Sequence, residues 1–386
     1  MEKAATILGE GTLHPHPRQG ATQTGVEEAT KRFKRYAPYV FSSHMADRPD
    51  IEDLEGVWQY RIKTSIPDNL LGRNYLFKVA QHLKQLGIKI VHVRNRPLYM
   101  PKLRRLMGKE AILILHEHNQ NIVDTLTQKK AIEVFEAIDA YVAVSRFTYD
   151  YEITNKYPQF KNKACVILNG VNLERFRPVW EQKEKAASLR RKFGLEGSKV
   201  VLFAGAIRER KGVHLLVEAF KQVAKKHPEA KLVISGGDKD NLEAKDAYAR
   251  KVKAITSQIP DKVVFTGYVP PTEIQDIYLL GDIFVGPSTW EEAFGLVFAE
   301  ASATGLAVIG SRRGGIPEII LDGRSGLLIN DPENTSEIAE KINYLIESPR
   351  KCEELGYSAR KYMEEKFSWD RVANEIEDLY DKLSDK

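Results

Sequence analysis

Short apolar runs alternate with longer amphipathic stretches along the whole chain. In the first half, the runs at 5–8, 57–62, 89–93, 111–116, 140–144 and 165–168 predict strands. In the second half, those at 200–204, 231–235, 263–266, 283–286, 307–310 and 326–329 do the same. Helical periodicity fills most of the intervals, for example at 214–226 and 335–347. This alternation predicts an α/β protein with parallel sheets covered on both faces. A break falls at Asn169-Gly-Val-Asn-Leu-Glu-Arg-Phe-Arg-Pro178, where Asn-Gly and a proline mark a turn region. A polar helical stretch at 181–193 then leads into a fresh strand.

The length of 386 residues agrees with that break, because it exceeds one ordinary domain and gives two halves, each able to build a core. With 42% hydrophobic and 29% charged residues the chain reads as soluble and globular, and no apolar run nears a membrane span. The first residues lack the apolar core of a secretory leader. Cys165 and Cys352 suggest neither a disulfide framework nor a metal site, so a cytoplasmic protein is expected. The net charge of +5 is mild. Two basic clusters, Lys31-Arg-Phe-Lys-Arg35 and Lys102-Leu-Arg-Arg105, fit either a solvated helix face or attraction to anionic lipid or an anionic acceptor. The second alternative would place the protein peripherally at the inner membrane face. Nucleic acid is not an expected partner: there is no zinc pattern and no basic tract interleaved with stacking aromatics.

Candidate chemistry concentrates in Ser288-Thr-Trp-Glu-Glu-Ala-Phe-Gly295-Leu-Val-Phe-Ala-Glu300. An acidic loop meets a glycine, the glycine opens an apolar helix, and a second acid follows along it. Amides at a helix start, at the positive end of its dipole, seat phosphate. Those of Phe294, Gly295, Leu296 and Val297 are the candidates here. Glu292 lies in the loop and Glu300 about 8 Å along the helix. Each carboxylate can accept hydrogen bonds from two neighbouring hydroxyls. A hexose on Glu292, a ribose diol on Glu300 and a diphosphate between them have the shape of a nucleotide-sugar. Downstream, Arg312-Arg-Gly-Gly-Ile-Pro-Glu318 follows a strand, and its Gly314 and Gly315 allow close backbone approach to a ligand.

Phe203-Ala-Gly-Ala-Ile-Arg-Glu-Arg-Lys-Gly212 ends another strand, and open parallel sheets bind ligands beyond the carboxyl ends of their strands. Arg208, Arg210 and Lys211 are therefore placed to meet the diphosphate. Asp238-Lys-Asp240 has the form of a metal clasp, but it follows a strand end and turn where acids are ordinary, so no metal is expected. Tyr268 and Val269 follow a further strand and border the nucleobase in this reading.

On these residues the chain resembles the retaining glycosyltransferases of family 4, which have the GT-B fold. The match rests on Glu292 and Glu300 with seven residues between them, the Gly-Gly-Ile-Pro-Glu loop, and Lys211 in a strand-end segment closing on Lys-Gly. It also includes Asn169-Gly-Val-Asn172 in place of the family's Asn-Gly-Val-Asp linker. The resemblance implies two doubly wound Rossmann-like domains facing across a cleft. Residues 1–172 would form the acceptor side, 173–368 would bind the nucleotide-sugar, and a terminal helix at 369–386 would cross back onto the first domain. It implies transfer of a hexose-type sugar from a UDP- or GDP-linked donor to a hydroxyl of a glycan, lipid-linked or small-molecule acceptor. Retention at the anomeric carbon, no metal or other cofactor, and the leaving phosphate acting as base are implied with it. Glu292, Lys211, Arg208 and His118 become the catalytic candidates, and Glu300, Gly20 and residues 294–297 and 268–269 the substrate-binding ones.

The pattern departs from the family at two places. Ala206 stands where relatives carry an arginine, so Arg208 is the implied substitute. Gln19-Gly20 stands where relatives have two glycines near the donor phosphate, so only Gly20 matches. His14 and His16 of the same loop lack a third ligand and are expected to be loop residues rather than metal ligands. His116 and His118, two apart at a strand end, share a face. Relatives carry a histidine after this strand, facing the transferred sugar, which selects His118 with His116 as the alternative. Val91-His-Val-Arg94-Asn95-Arg96-Pro97 and the first loop are similar to the spore coat protein SA-like branch. Two other functions share the architecture: a nucleotide-sugar 2-epimerase, and a catalytically silent coat or structural protein. The paired glutamates and the linker favour the transferase, while Ala206 and Gln19 keep the silent protein open.

Overall fold

The computed structural model describes residues 1–15, 20–64, 73–237 and 247–385. His16, Gln19 and the Asp238-Lys-Asp240 stretch lie outside the described residues. The chain divides into two compact units, Met1–Gly170 with Trp369–Lys386, and Val171–Ser368.

The first unit contains β1 (Glu2–Ile7), β2 (Tyr36–Ser43), β3 (Ile51–Leu54), β4 (Val57–Ile62), β5 (Ile90–Arg94), β6 (Ile112–Glu117), β7 (Ala140–Ala143) and β8 (Ala164–Val166). They form one sheet in the order β3-β4-β2-β1-β5-β6-β7-β8, parallel except for the β3–β4 hairpin. The strand order reverses between β1 and β5, so the carboxyl ends of these two strands flank a topological switch point.

β2 and β3 are additions to the strands read from the sequence. β2 carries Pro38, which cannot donate to a ladder and reads as a strand breaker. The strand nevertheless sits centrally, with Pro38 opposite Ala4, because Tyr39, Val40 and Phe41 are all buried. β3 is short and partly exposed, and it is tied to β4 by Glu55 and Gly56, both at positive φ (54° and 86°) as a tight hairpin turn demands.

One face of this sheet is covered by helices Arg73–Gln85, Met100–Met107 and Gln128–Ala137, which bury Tyr75, Leu76, Val79, Leu103, Val134 and Phe135. The other face is covered by Ala21–Thr30 and the C-terminal helix Trp369–Ser384. Here Ala29, Ile90, Ile114, Val142, Trp369, Val372, Ile376 and Tyr380 pack together. The terminal helix is also held by a polar anchor. Buried Glu377 accepts, through Oε1, the amides of Lys34, Arg35 and Tyr36 at 2.9, 2.7 and 3.1 Å.

The second unit contains β9 (Lys199–Ala204), β10 (Ala230–Ser235), β11 (Val263–Gly267), β12 (Ile283–Gly286), β13 (Ala307–Ser311) and β14 (Leu327–Ile329). All are parallel, in the order β11-β10-β9-β12-β13-β14. Each corresponds to a run legible in the sequence, because strands buried on both faces are nearly continuously apolar. The reversal between β9 and β12 sets the loops after these two strands side by side.

Candidate active site

At the switch point of the second unit the backbone makes the site before any side chain does. Gly212 has φ of 69°, and a Cβ there would fall 1.9 Å from the Pro287 carbonyl oxygen. Only glycine lets the loop after β9 lie this close to the loop after β12. The loops are then stitched together: Thr289 N donates to the Arg210 carbonyl at 3.0 Å, and Ser288 Oγ lies 3.0 Å from the same carbonyl oxygen. This closure brings Lys211 Nζ to 2.5 Å from Glu292 Oε1, and Ser288 Oγ donates to the same oxygen at 2.9 Å.

A third loop fixes Glu292 from the other side. The Gly315 amide donates to the Glu292 carbonyl at 2.7 Å, and Gly314 donates to the Glu291 carboxylate. Gly314 has φ of 55°, and a Cβ on it would stand 2.1 Å from the Glu292 carbonyl oxygen. This glycine makes its close approach to the Glu292 backbone. The loop positions the glutamate.

The helix Leu296–Ala303 begins at Gly295, which has φ of 97°. The Leu296 and Val297 amides at its start have no acceptor among the described residues. The Phe294 side chain is buried against Phe367, with ring centroids 6.0 Å apart, so only its backbone remains for a ligand. Glu300 is half-buried and accepts the Tyr278 hydroxyl at 2.6 Å. Burial pushes its carboxyl up to about 7, against the lowering effects of the Tyr278 hydrogen bond and the Arg175 charge. Arg208 is exposed, with no ion-pair partner among the described residues. Arg210 instead lies over the Trp290 ring, 5.4 Å from its centroid. Tyr268 and Val269 are half-buried and follow β11, whose last carbonyl, that of Gly267, accepts the Gly236 amide at 3.1 Å.

In the first unit, Gly20 caps the helix Ala21–Thr30, and its amide donates to Gln23 Oε1 at 3.1 Å. His14 is buried, with Nδ1 3.0 Å from Gln59 Oε1. His116 and His118 stack with ring centroids 4.7 Å apart, and His92 stacks on His116 at 5.2 Å. Asn95, at φ of 52°, accepts the His118 amide at 2.6 Å and donates to Thr22 Oγ1 at 3.2 Å, so it fixes the backbone that carries His118. Burial first, then the Arg94 charge, push the His118 imidazole down to about 3. It is neutral at physiological pH, able to give or accept a hydrogen bond but unsuited to act as an acid.

Acids within the same unit answer much of the basic-cluster charge. Lys31 pairs with Glu27, Arg32 with Glu28, Arg35 with Asp378 and Asp381, and Arg104 with Asp139. Among the described residues no helix is long and apolar enough to cross a membrane. No group of three His, Cys, Asp or Glu side chains there is arranged to hold a metal ion.

With this geometry established, the comparisons with known proteins fall into one pattern. The model for Glycosyltransferase Family 4 matches residues 27–175, and that for Glycosyl transferases group 1 matches residues 185–362. Spore coat protein SA of Bacillus subtilis is 32% identical over 384 residues, covering 98% of this chain and 99% of that protein. The chain belongs to glycosyltransferase family 4. A putative glycosyltransferase of the same organism, YtcC, is 28% identical over 385 residues, covering 99% of this chain and 92% of that one. The solved structures similar to this family 4 glycosyltransferase share the GT-B fold at low sequence identity. Sucrose-phosphate synthase from Thermosynechococcus elongatus has a TM-score of 0.80 at 21% identity, with 99% of each chain covered. Anabaena Alr3699/HepE in complex with UDP-glucose has a TM-score of 0.77 at 18% identity, covering 99% of this chain and 100% of that one.

Several residues that build the site carried no signal in the sequence. Tyr278 sits in an ordinary amphipathic helix, Ile274–Tyr278, and only the packing turns its hydroxyl to Glu300. Ser288 lay in view four residues before Glu292, but nothing in a loop sequence shows that it shares an oxygen with Lys211. Arg94 and Asn95 stood in a noted stretch, and their positions at the end of β5 gave them meaning.

Proposed function

We propose that this glycosyltransferase moves a hexose-type sugar from a nucleoside-diphosphate sugar to an acceptor hydroxyl, with retention of anomeric configuration. The observation that carries the reading is the convergence of Lys211 Nζ and Ser288 Oγ on one oxygen of Glu292, three residues ahead of the Gly295 helix start. A diphosphate seated on the Leu296 and Val297 amides competes with Glu292 for the Lys211 ammonium. The released carboxylate then accepts hydrogen bonds from the hexose. Glu300 holds the ribose diol, and Tyr268 and Val269 border the base. As the sugar–phosphate bond breaks, negative charge grows on the diphosphate, and Lys211, Arg208 and the helix amides stabilise it without reorganising. These fixed cations supply charge that a metal would otherwise bring. The acceptor proton passes to the leaving phosphate. His118 contacts the sugar as a neutral hydrogen-bonding group, and Gly20 borders the donor phosphate. Family membership supports retention, and the UDP-glucose bound to the HepE structure supports a nucleotide-sugar donor.

A thermal-shift panel of nucleoside diphosphates and their sugars identifies the donor, since a selective binder stabilises the folded state by mass action. Transfer is then measured for Lys211→Ala and Glu292→Ala. Both are expected to keep their circular dichroism spectra and to lose about 100-fold or more in turnover. Undiminished turnover in either variant overturns the assignment. An epimer appearing without acceptor would make the protein a nucleotide-sugar 2-epimerase, and failure to bind any nucleoside diphosphate would make it a silent structural member of the fold.

A further inference from the structure

A cluster in the first unit has hydrogen-bond donors to spare and no acceptor for them among the described residues. Arg94 ends β5, beside the switch point, and is 2% exposed. Its Nη1 donates to His116 Nδ1. A guanidinium can only donate, so Nδ1 of His116 is the acceptor and the proton of the neutral ring lies on Nε2. His92 lies alongside, with its Nε2 3.2 Å from His116 Nδ1 and its Nδ1 2.7 Å from the Tyr380 hydroxyl. That leaves Arg94 Nε, Arg94 Nη2 and His116 Nε2 buried without a partner among the described residues, and all three are donors. His118, stacked on His116 and 8% exposed, leaves both ring nitrogens unpartnered as well.

The charge is unanswered too. Among the described residues no carboxylate supports Arg94: burial lowers it from its usual value to about 10, and the Tyr380 hydroxyl is its one favourable neighbour there. It therefore stays cationic at neutral pH. A buried cation without a counter-charge costs several kcal/mol, and interior charges are normally paired. The cluster also lies at the carboxyl ends of β5 and β6, next to the switch point where open parallel sheets take ligands.

We propose that Arg94 and His116, with His118 beside them, form an anion subsite that takes a phosphate or carboxylate group of the acceptor. A phosphate or carboxylate offers only acceptor oxygens to these donors and supplies the missing charge. Asn95 and Thr22 hold the adjoining loop. The acceptor assignment rests on the proposed function; the anion site itself does not.

The test uses the full chain with Lys211→Ala, which disables the donor-diphosphate cation. Inorganic phosphate and acetate are titrated separately at constant ionic strength, with melting temperature as the readout. A saturable rise is expected with at least one anion. Adding Arg94→Met should raise the half-saturating concentration about tenfold or more, because charge-assisted hydrogen bonds are lost. Arg94→Lys should retain part of the response. A stronger response to phosphate points to a phosphorylated acceptor, and a stronger response to acetate to a carboxylated one. Without anion, Arg94→Met should melt no lower than its parent, since it removes an uncompensated buried charge; a large loss there would make Arg94 a structural residue and overturn the proposal. So would equal anion responses with and without Arg94. Nucleoside-diphosphate binding by the otherwise unmodified chain is measured alongside. If that fails, the donor reading falls; if only the anion response fails, the subsite alone falls.

Discussion

Glu300 offers the sharpest quantitative test, because its protonation joins stability to donor binding. Its folded-state value of about 7 lies above the usual 4.5, with burial as the main cause. Between those values the folded chain holds a proton that the unfolded chain has released, so stability falls as pH rises through this window. The difference of about 2.5 units corresponds to at most about 3 kcal/mol, present as a penalty above pH ~8 and absent below pH ~4.5. Glu300→Gln removes the titration while keeping an acceptor for the Tyr278 hydroxyl. The variant should match the parent near pH 5 and exceed it near pH 8, as read from urea unfolding of the second unit at several pH values. Donor binding should run the other way. The ionised carboxylate is the form that accepts both ribose hydroxyls, so nucleoside-diphosphate affinity of the parent should fall about tenfold per pH unit below 7. The Glu300→Gln variant should bind more weakly and lack this slope. A stability difference between the two proteins that does not change from pH 5 to pH 8 would refute the reasoning, whatever the binding data show.

Other substitutions probe the scaffold around the same groups. Tyr278→Phe removes the hydrogen bond that lowers Glu300, so the midpoint of the nucleotide-binding pH profile should move to higher pH; a profile left in place would show the bond to be idle. Gly314→Ala forces a Cβ against the Glu292 carbonyl at a positive φ, which should cost about 2 kcal/mol or more and lower transfer; full activity with unchanged melting would mean the loop does not position Glu292. Glu377→Ala strands three backbone amides under the C-terminal helix, and denaturation should show a loss of about 3 kcal/mol confined to the first unit.

The sequence by itself determined the two-part α/β plan, because strands buried on both faces must be apolar along their whole length. The six runs of the second half appear as β9 to β14 for that reason. β2 stayed hidden because Pro38 contradicts its local pattern, and burial between two neighbouring strands overrides the lost donor. The sequence also announced the acidic loop, the helix-opening Gly295 and the strand-end cations, since each is a local device whose residue type follows from its backbone conformation. Tertiary structure alone decided how these devices meet. Only the strand order places Lys211 against Glu292, residues 81 positions apart, and only the packing of three loops sets Gly314 against the glutamate backbone. The same holds for Arg94, whose lack of a carboxylate partner among the described residues depends on residues from distant strands and the terminal helix. Charge and hydrogen-bonding capacity are written in the residue type, whereas whether they are answered depends on what the folded chain places within about 3 Å.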